Sequence, residues 1–168
     1  LPWSSIETTP NDYEDPFSAL ELLGQAAVAN NFKFSLTIRP IDLTGKTVPS
    51  DLEGVRFNDT VMIDRFKSLV DFVFTNVNTS ILLNFQIGNE IDGYNTSSEP
   101  ATFWEDYGEF LQEITNYIHS INPALKVGFT GTHHGLLLNP TKFNNLLQNV
   151  DILGVTYYPL NSDFSVKD

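Results

Sequence analysis

Four short apolar runs, "FKFSLTI" (32–38), "ILLNFQI" (81–87), "LKVGFT" (125–130) and "DILGVTYYP" (151–159), are separated by segments with a different period. Met62, Phe66, Leu69, Val70, Val73 and Val77 recur at helical spacing and fall on one helix face. The same spacing joins Phe103, Tyr107, Phe110, Leu111, Ile114, Tyr117, Ile118 and Ile121. That segment follows a Thr102/Glu105 capping-box pattern and stops at Asn122-Pro123. Asp15-Pro16 reads as an N-cap and first-turn proline for a helix carrying Phe17, Leu20, Leu23, Ala27 and Val28. Asn139-Pro140 opens a shorter helix with Phe143, Leu146 and Leu147. Helix and strand alternate strictly.

Strict alternation with nearly continuous apolar strands predicts an α/β fold with a parallel sheet covered by helices. Two closures compete: an open doubly wound sheet and a (β/α)8 TIM barrel. No Gly-x-Gly-x-x-Gly turn or phosphate loop follows any strand, which weakens the nucleotide-binding open sheet. Polar and aromatic residues instead crowd the strand exits: Arg39 with Asp42, Asn89 with Glu90, His133 with His134, and Tyr157 with Tyr158. A barrel's carboxyl-terminal face is furnished in this way. Such a barrel takes ~250 residues. Four strands, or five if "WSSIE" ends another, in 168 residues predict one partial barrel domain spanning 1–168.

Composition narrows the partners. Nine Lys and Arg against 21 Asp and Glu give a net charge of −12, with no basic run, which disfavours nucleic acids and anionic membranes. Neutral or cationic partners suit this surface, and sugars are neutral. With no cysteine there is neither a disulfide framework nor a thiolate metal site. No apolar run approaches the ~20 residues of a membrane span. The chain opens on Leu1 without a signal peptide, as the inside of something longer would. Sequons at Asn58, Asn78 and Asn95 lean towards a secreted, extracellular protein.

Gly88-Asn89-Glu90 at one strand exit and Tyr157-Tyr158-Pro159 at the exit two strands later resemble clan A of the retaining glycoside hydrolases. Among its families the chain looks most like the family 53 endo-β-1,4-galactanases, with the family 5 cellulases and mannanases as neighbours. The resemblance implies that Asn89-Glu90 closes the fourth barrel strand, that Glu90 is the general acid/base, and that the tyrosines close the sixth. It also implies a second Glu as nucleophile at the end of the seventh strand. No Glu follows Glu113 in this sequence, so that residue is expected beyond Asp168.

The chemistry fits the residue types. Retaining cleavage of a glycoside needs two carboxyl groups ~5–5.5 Å apart, one attacking the sugar and one protonating the departing oxygen. Glu90 suits the second role, and Asn89 can hydrogen-bond the sugar's 2-hydroxyl. A second acid, Asp92, stands two residues beyond Glu90 with no role assigned by the pattern. Arg39 would steer a carboxylate or pair with Asp42; Tyr157 or Tyr158 would stack on sugar or bond the nucleophile. His133 and His134 would bind sugar hydroxyls or, less in keeping with the pattern, a metal, which two histidines without a third ligand support weakly. Trp3 and Glu7 are candidates for subsite residues from an earlier strand's exit, and Trp104 for a sugar platform or, the stronger reading, core packing. The expected function is hydrolysis of a β-linked polysaccharide or oligosaccharide without cofactor or metal. The alternatives are an inactive carbohydrate-binding barrel and a metal-dependent barrel hydrolase using His133 and His134. Besides the carbohydrate, the expected partner is the rest of the barrel or a second copy, since half a barrel leaves strand edges unpaired.

Overall fold

The computed structural model describes residues 1–96, 102–160 and 165. In chain order the elements are β1 (Glu7–Thr9), β2 (Asp12–Tyr13), α1 (Ala19–Asn30), β3 (Phe34–Asp42), β4 (Gly45–Lys46) and α2 (Thr60–Asn76). They continue with β5 (Leu82–Asn89), α3 (Phe103–Ile121), β6 (Lys126–Thr132), α4 (His133–Leu138), α5 (Pro140–Leu146) and β7 (Ile152–Thr156). The main sheet runs β4-β3-β5-β6-β7. β3, β5, β6 and β7 are mutually parallel, while β4 turns back antiparallel along the end of β3. Leu1–Pro2 lies on the other flank of β3: Pro2 bridges Arg39 in parallel, and the Arg39 amide donates to Leu1 O at 2.8 Å. A fifth parallel segment therefore enters at the amino terminus, ahead of the 3-10 turn Trp3–Ser5.

The two sheet faces differ. Leu36, Ile38, Phe85, Ile87, Val127 and Phe129 are buried. They pack under the helices, as Phe85 on Phe74 of α2 at 5.6 Å and Phe129 on Phe143 of α5 at 5.9 Å illustrate. Residues alternating with these point the other way, and they are small or polar: Ser35, Thr37, Asn84, Gln86, Thr130 and Thr156. Asn84 Nδ2 donates to Ser35 Oγ at 2.9 Å, and Gln86 Nε2 to Asn84 Oδ1 at 3.1 Å, across that face. The strands are thus apolar on one side only, which corrects the expectation of nearly continuous apolar strands.

Local details depart from the sequence reading at the starts of α1 and α3. Asp15 does hold the start of α1, accepting from the Leu20 and Glu21 amides at 2.9 and 3.0 Å. Pro16 is not the first α-helical residue, however: Pro16–Ser18 is a 3-10 turn with Phe17 and Ser18 at φ 57 and 53. Phe17 is 99% exposed, Leu23 and Val28 are exposed too, and Leu20 and Ala27 alone in α1 are buried. At α3 the capping box does not form. Thr102 Oγ1 instead donates to Asp106 Oδ2 at 3.3 Å and accepts from Arg56, whose guanidinium grips both Asp106 oxygens at 2.6 and 2.8 Å. β3 continues through Arg39-Pro40 to Asp42, because the β4 hairpin and Leu1–Pro2 give its end partners.

One buried ion pair ties the amino-terminal segment to α2. Glu7 is fully buried, and its Oε1 meets Arg65 Nη2 at 2.7 Å and Nε at 2.9 Å. Its oxygens also accept from the Asn11 amide and from Trp3 Nε1, both at 2.7 Å. Arg65 also bonds Asp51. Removing the cation alone leaves a carboxylate stranded in the core. Arg65→Met should cost about 3–5 kcal/mol in urea unfolding; a loss in the exposed-pair range of about 0–1 kcal/mol would contradict this account.

Candidate active site

The parallel strands deliver their carboxyl-terminal ends to one edge, where the turn after β5 is the most constrained element. Gly88 has φ 85, a value that suits glycine. A Cβ there would stand 2.5 Å from the Tyr107 hydroxyl and 2.7 Å from Ile91 Cγ2. Glu90 itself has φ 50, in the left-handed region, where a non-glycine residue is strained by roughly 1–3 kcal/mol. The Glu90 carbonyl accepts from the Gly93 amide at 2.9 Å, and the Asn89 carbonyl from the Leu43 amide at 3.0 Å. Strain of this kind gathers at functional positions.

This turn brings Glu90 inward. It is 6% exposed, and its Oε1 accepts a hydrogen bond from the Tyr158 hydroxyl, just past β7. That bond pushes the Tyr158 hydroxyl pKa above its ordinary 10.0, because losing the proton would set two anions together. On the other side, Asn89 Nδ2 donates to Asp42 Oδ1 at 2.9 Å, and Arg39 Nη1 donates to Asp42 Oδ2 at 2.6 Å. Arg39 therefore pairs with Asp42, which in turn orients the Asn89 amide.

His133 and His134 open α4, a helix absent from the sequence reading, and both are exposed. The His133 ring meets Tyr157 edge-on at 5.1 Å. Both histidines line a cleft of about 140 Å³ with Thr132, Thr156, Tyr157 and Tyr158. No third metal-ligating side chain joins them among the described residues. Two larger hollows of about 430 and 460 Å³ lie along the helical flank, the first against Trp104 and the second between α1 and the end of α2.

Trp3 does not belong to this group. It is fully buried, edge-on to Phe66 at 5.0 Å and bonded to Glu7, so the expectation that Trp3 and Glu7 form a subsite is corrected. The reason is the turn Trp3–Ser5, which folds both residues under α2 instead of along the strand exit. Trp104 is half-buried between Phe103 and Phe143, with Lys142 Nζ 5.4 Å from its ring centre.

Sequence reasoning missed what Asp92 does. Its Oδ1 accepts from the Thr132 amide at 2.8 Å and its Oδ2 from the Thr132 hydroxyl at 2.6 Å. Only its closeness to Glu90 in the sequence hinted at it. The sequon that starts at Asn95 ends at Ser97, outside the described residues.

The chain superposes on an exo-β-1,4-mannosidase from Opitutaceae bacterium strain TAV5 with a TM-score of 0.67 and 19% identity, covering 95% of this chain and 31% of that one. A family 53 glycoside hydrolase catalytic domain from Ignisphaera aggregans gives 0.64 and 15%, covering 83% and 41%. A psychrophilic family 10 endo-β-1,4-xylanase gives 0.65 and 11%, covering 92% and 52%. All three are clan A TIM barrels. This chain has their fold. It is an open part of a (β/α)8 barrel: among the described residues β7 pairs with β6 alone, and the chain spans about a third to a half of the length of the structures it matches. No family model matches the sequence, and no curated protein does.

The Glu90–Tyr158 bond makes a titration test possible. Replacing Glu90 by Gln removes the negative charge that opposes tyrosinate, so one tyrosine should titrate at lower pH than in the parent. Ultraviolet difference titration of both proteins, with Tyr158→Phe to assign the signal, measures this. Unchanged curves would mean that the bond does not form in solution.

Proposed function

We propose that this chain is part of a retaining glycoside hydrolase acting on a β-linked polysaccharide or oligosaccharide, with Glu90 as general acid/base. The observation that carries the reading is the placement of Glu90: a nearly buried carboxyl on a left-handed turn at a barrel strand exit, bonded by the tyrosine of the exit two strands later. A strained turn that buries a carboxyl is costly for a rim residue without a task. The clan A glycosidase folds of the structural neighbours support the same reading.

In this mechanism Glu90 protonates the departing oxygen while a second carboxylate, a Glu on the strand after β7, attacks the anomeric carbon. Glu90 then deprotonates the water that releases the sugar. Tyr158, bonded to Glu90 Oε1, holds the acid in place. Asn89, oriented by Asp42 and Arg39, presents its amide to the sugar's 2-hydroxyl, a contact that strengthens as positive charge develops at the ring. His133, His134 and Tyr157 form the wall that receives the neighbouring sugar. The open edge of β7 is completed by further strands of the same protein or by a second copy. Surface exposure of Asn78 is compatible with a secreted protein.

The test is Glu90→Gln in the full-length protein. Acid assistance contributes ~10²–10⁴-fold, so phenyl β-glycosides should slow by about that factor while sugar binding persists. A 2,4-dinitrophenyl glycoside, whose leaving group needs no proton, should still form the glycosyl-enzyme, and azide should rescue its turnover with retained configuration. If Glu90→Gln hydrolyses phenyl glycosides near the parent rate, Glu90 is a rim carboxylate and the acid/base lies elsewhere.

A further inference from the structure

Asp92 has no part in the chemistry above, yet its contacts are among the most closely fitted at the strand exits. Both of its carboxylate oxygens are engaged by Thr132, one by the main-chain amide at 2.8 Å and one by the hydroxyl at 2.6 Å. The same hydroxyl accepts from the Gly135 amide at 2.8 Å and so caps α4. The fit admits no side chain at the facing position: a Cβ on Gly135 would stand 1.9 Å from Asp92 Oδ2. A carboxylate committed in this way does not serve as the attacking group. It serves as a clamp between two strand exits.

The consequence follows from the neighbours. His133 comes directly after Thr132 and packs on Tyr157; Tyr158 comes directly after Tyr157 and bonds Glu90; Glu90 lies two residues before Asp92. The contacts close a ring through the exits of β5, β6 and β7. On the opposite side the turn is held by the Leu43 amide on Asn89 O and by Asn89 Nδ2 on Asp42. Releasing Asp92 frees one of the two sides that keep Glu90 at φ 50. We propose that Asp92 is a positioning residue that holds the Glu90 turn to the exit of β6 and so aims the acid/base carboxyl at the departing oxygen. This rests on the assignment of Glu90 given above.

Misaiming an acid has a signature that general damage lacks: the loss depends on how much the leaving group needs a proton. The experiment compares Asp92→Ala, Asp92→Asn and Thr132→Val with the parent, all in the full-length protein. The substrates are phenyl and 2,4-dinitrophenyl β-glycosides of whichever of mannose, galactose, glucose or xylose the parent cleaves fastest. The readout is kcat/KM, which reports the first displacement. A displacement of about 1 Å can cost on the order of 100-fold, so Asp92→Ala should lose about that on the phenyl glycoside and little on the dinitrophenyl one. Asp92→Asn, which keeps an acceptor for the Thr132 amide, should lose less. If Asp92→Ala does not fold, Thr132→Val decides, since it removes the hydroxyl and leaves the amide contact. Equal loss on both substrates, or none on either, overturns the proposal. Glu90→Gln serves as the control. If it too fails to separate the substrates, the Glu90 assignment is wrong; if it separates them and the Asp92 variants do not, only the role of Asp92 is wrong.

Discussion

The constraint on which the rest depends is the parallel alignment of β3, β5, β6 and β7. Parallel strands need crossovers, and the crossovers here are helices packed on one face of the sheet by Phe85, Ile87, Val127 and Phe129. Every strand must then end at the same edge. Arg39, Asn89, Glu90, Thr132 and Tyr158 sit up to about 120 residues apart in sequence, and no special folding event is needed for them to meet. The helical face carries the hydrophobic stabilisation; the other face is free to be polar, and the Ser35–Asn84–Gln86 chain of hydrogen bonds shows that it is.

Against this regular frame the Glu90 turn is a place at the strand exits where local preference is overruled. Gly88 accommodates one positive φ at no cost, whereas Glu90 holds another at a cost of roughly 1–3 kcal/mol. Contacts on both flanks offset it: Leu43 and Asp42 from the β3–β4 hairpin, Thr132 from the exit of β6. The hairpin itself leans on Leu1–Pro2 and on the Glu7–Arg65 core pair lies the first turn of the chain, so the amino-terminal segment buttresses the site without lining it.

What was legible in the sequence followed periodicity and punctuation. The four long strands and the helices of α2 and α3 announced themselves because their apolar residues recur at the period of the element that buries them, and Asn122-Pro123 marked a real stop. Interactions between distant residues were not legible. Arg56 reaching Asp106 dissolves the Thr102/Glu105 capping box, and nothing within the local pattern signals an arginine 50 residues away. Trp3 and Glu7 look like rim residues until Arg65 draws Glu7 into the core. Phe17 fits the helical spacing but stands on a left-handed turn in solvent. At the site, the short Gly-Asn-Glu and Tyr-Tyr motifs were visible; the choice of Tyr158 as the partner of Glu90, and Asp92 as a tie to Thr132, depend on where neighbouring exits stand in space.

The most direct measurement is the distance between the two carboxyl groups. A crystal structure of the full-length protein trapped with a 2,4-dinitrophenyl 2-deoxy-2-fluoro-β-glycoside would show which carboxylate carries the sugar. The account predicts a covalent bond to a residue other than Glu90, with the two carboxyl groups about 5–5.5 Å apart. A separation of about 6.5–9.5 Å, which leaves room for a water as in inverting enzymes, or a sugar bonded to Glu90 itself, would contradict it.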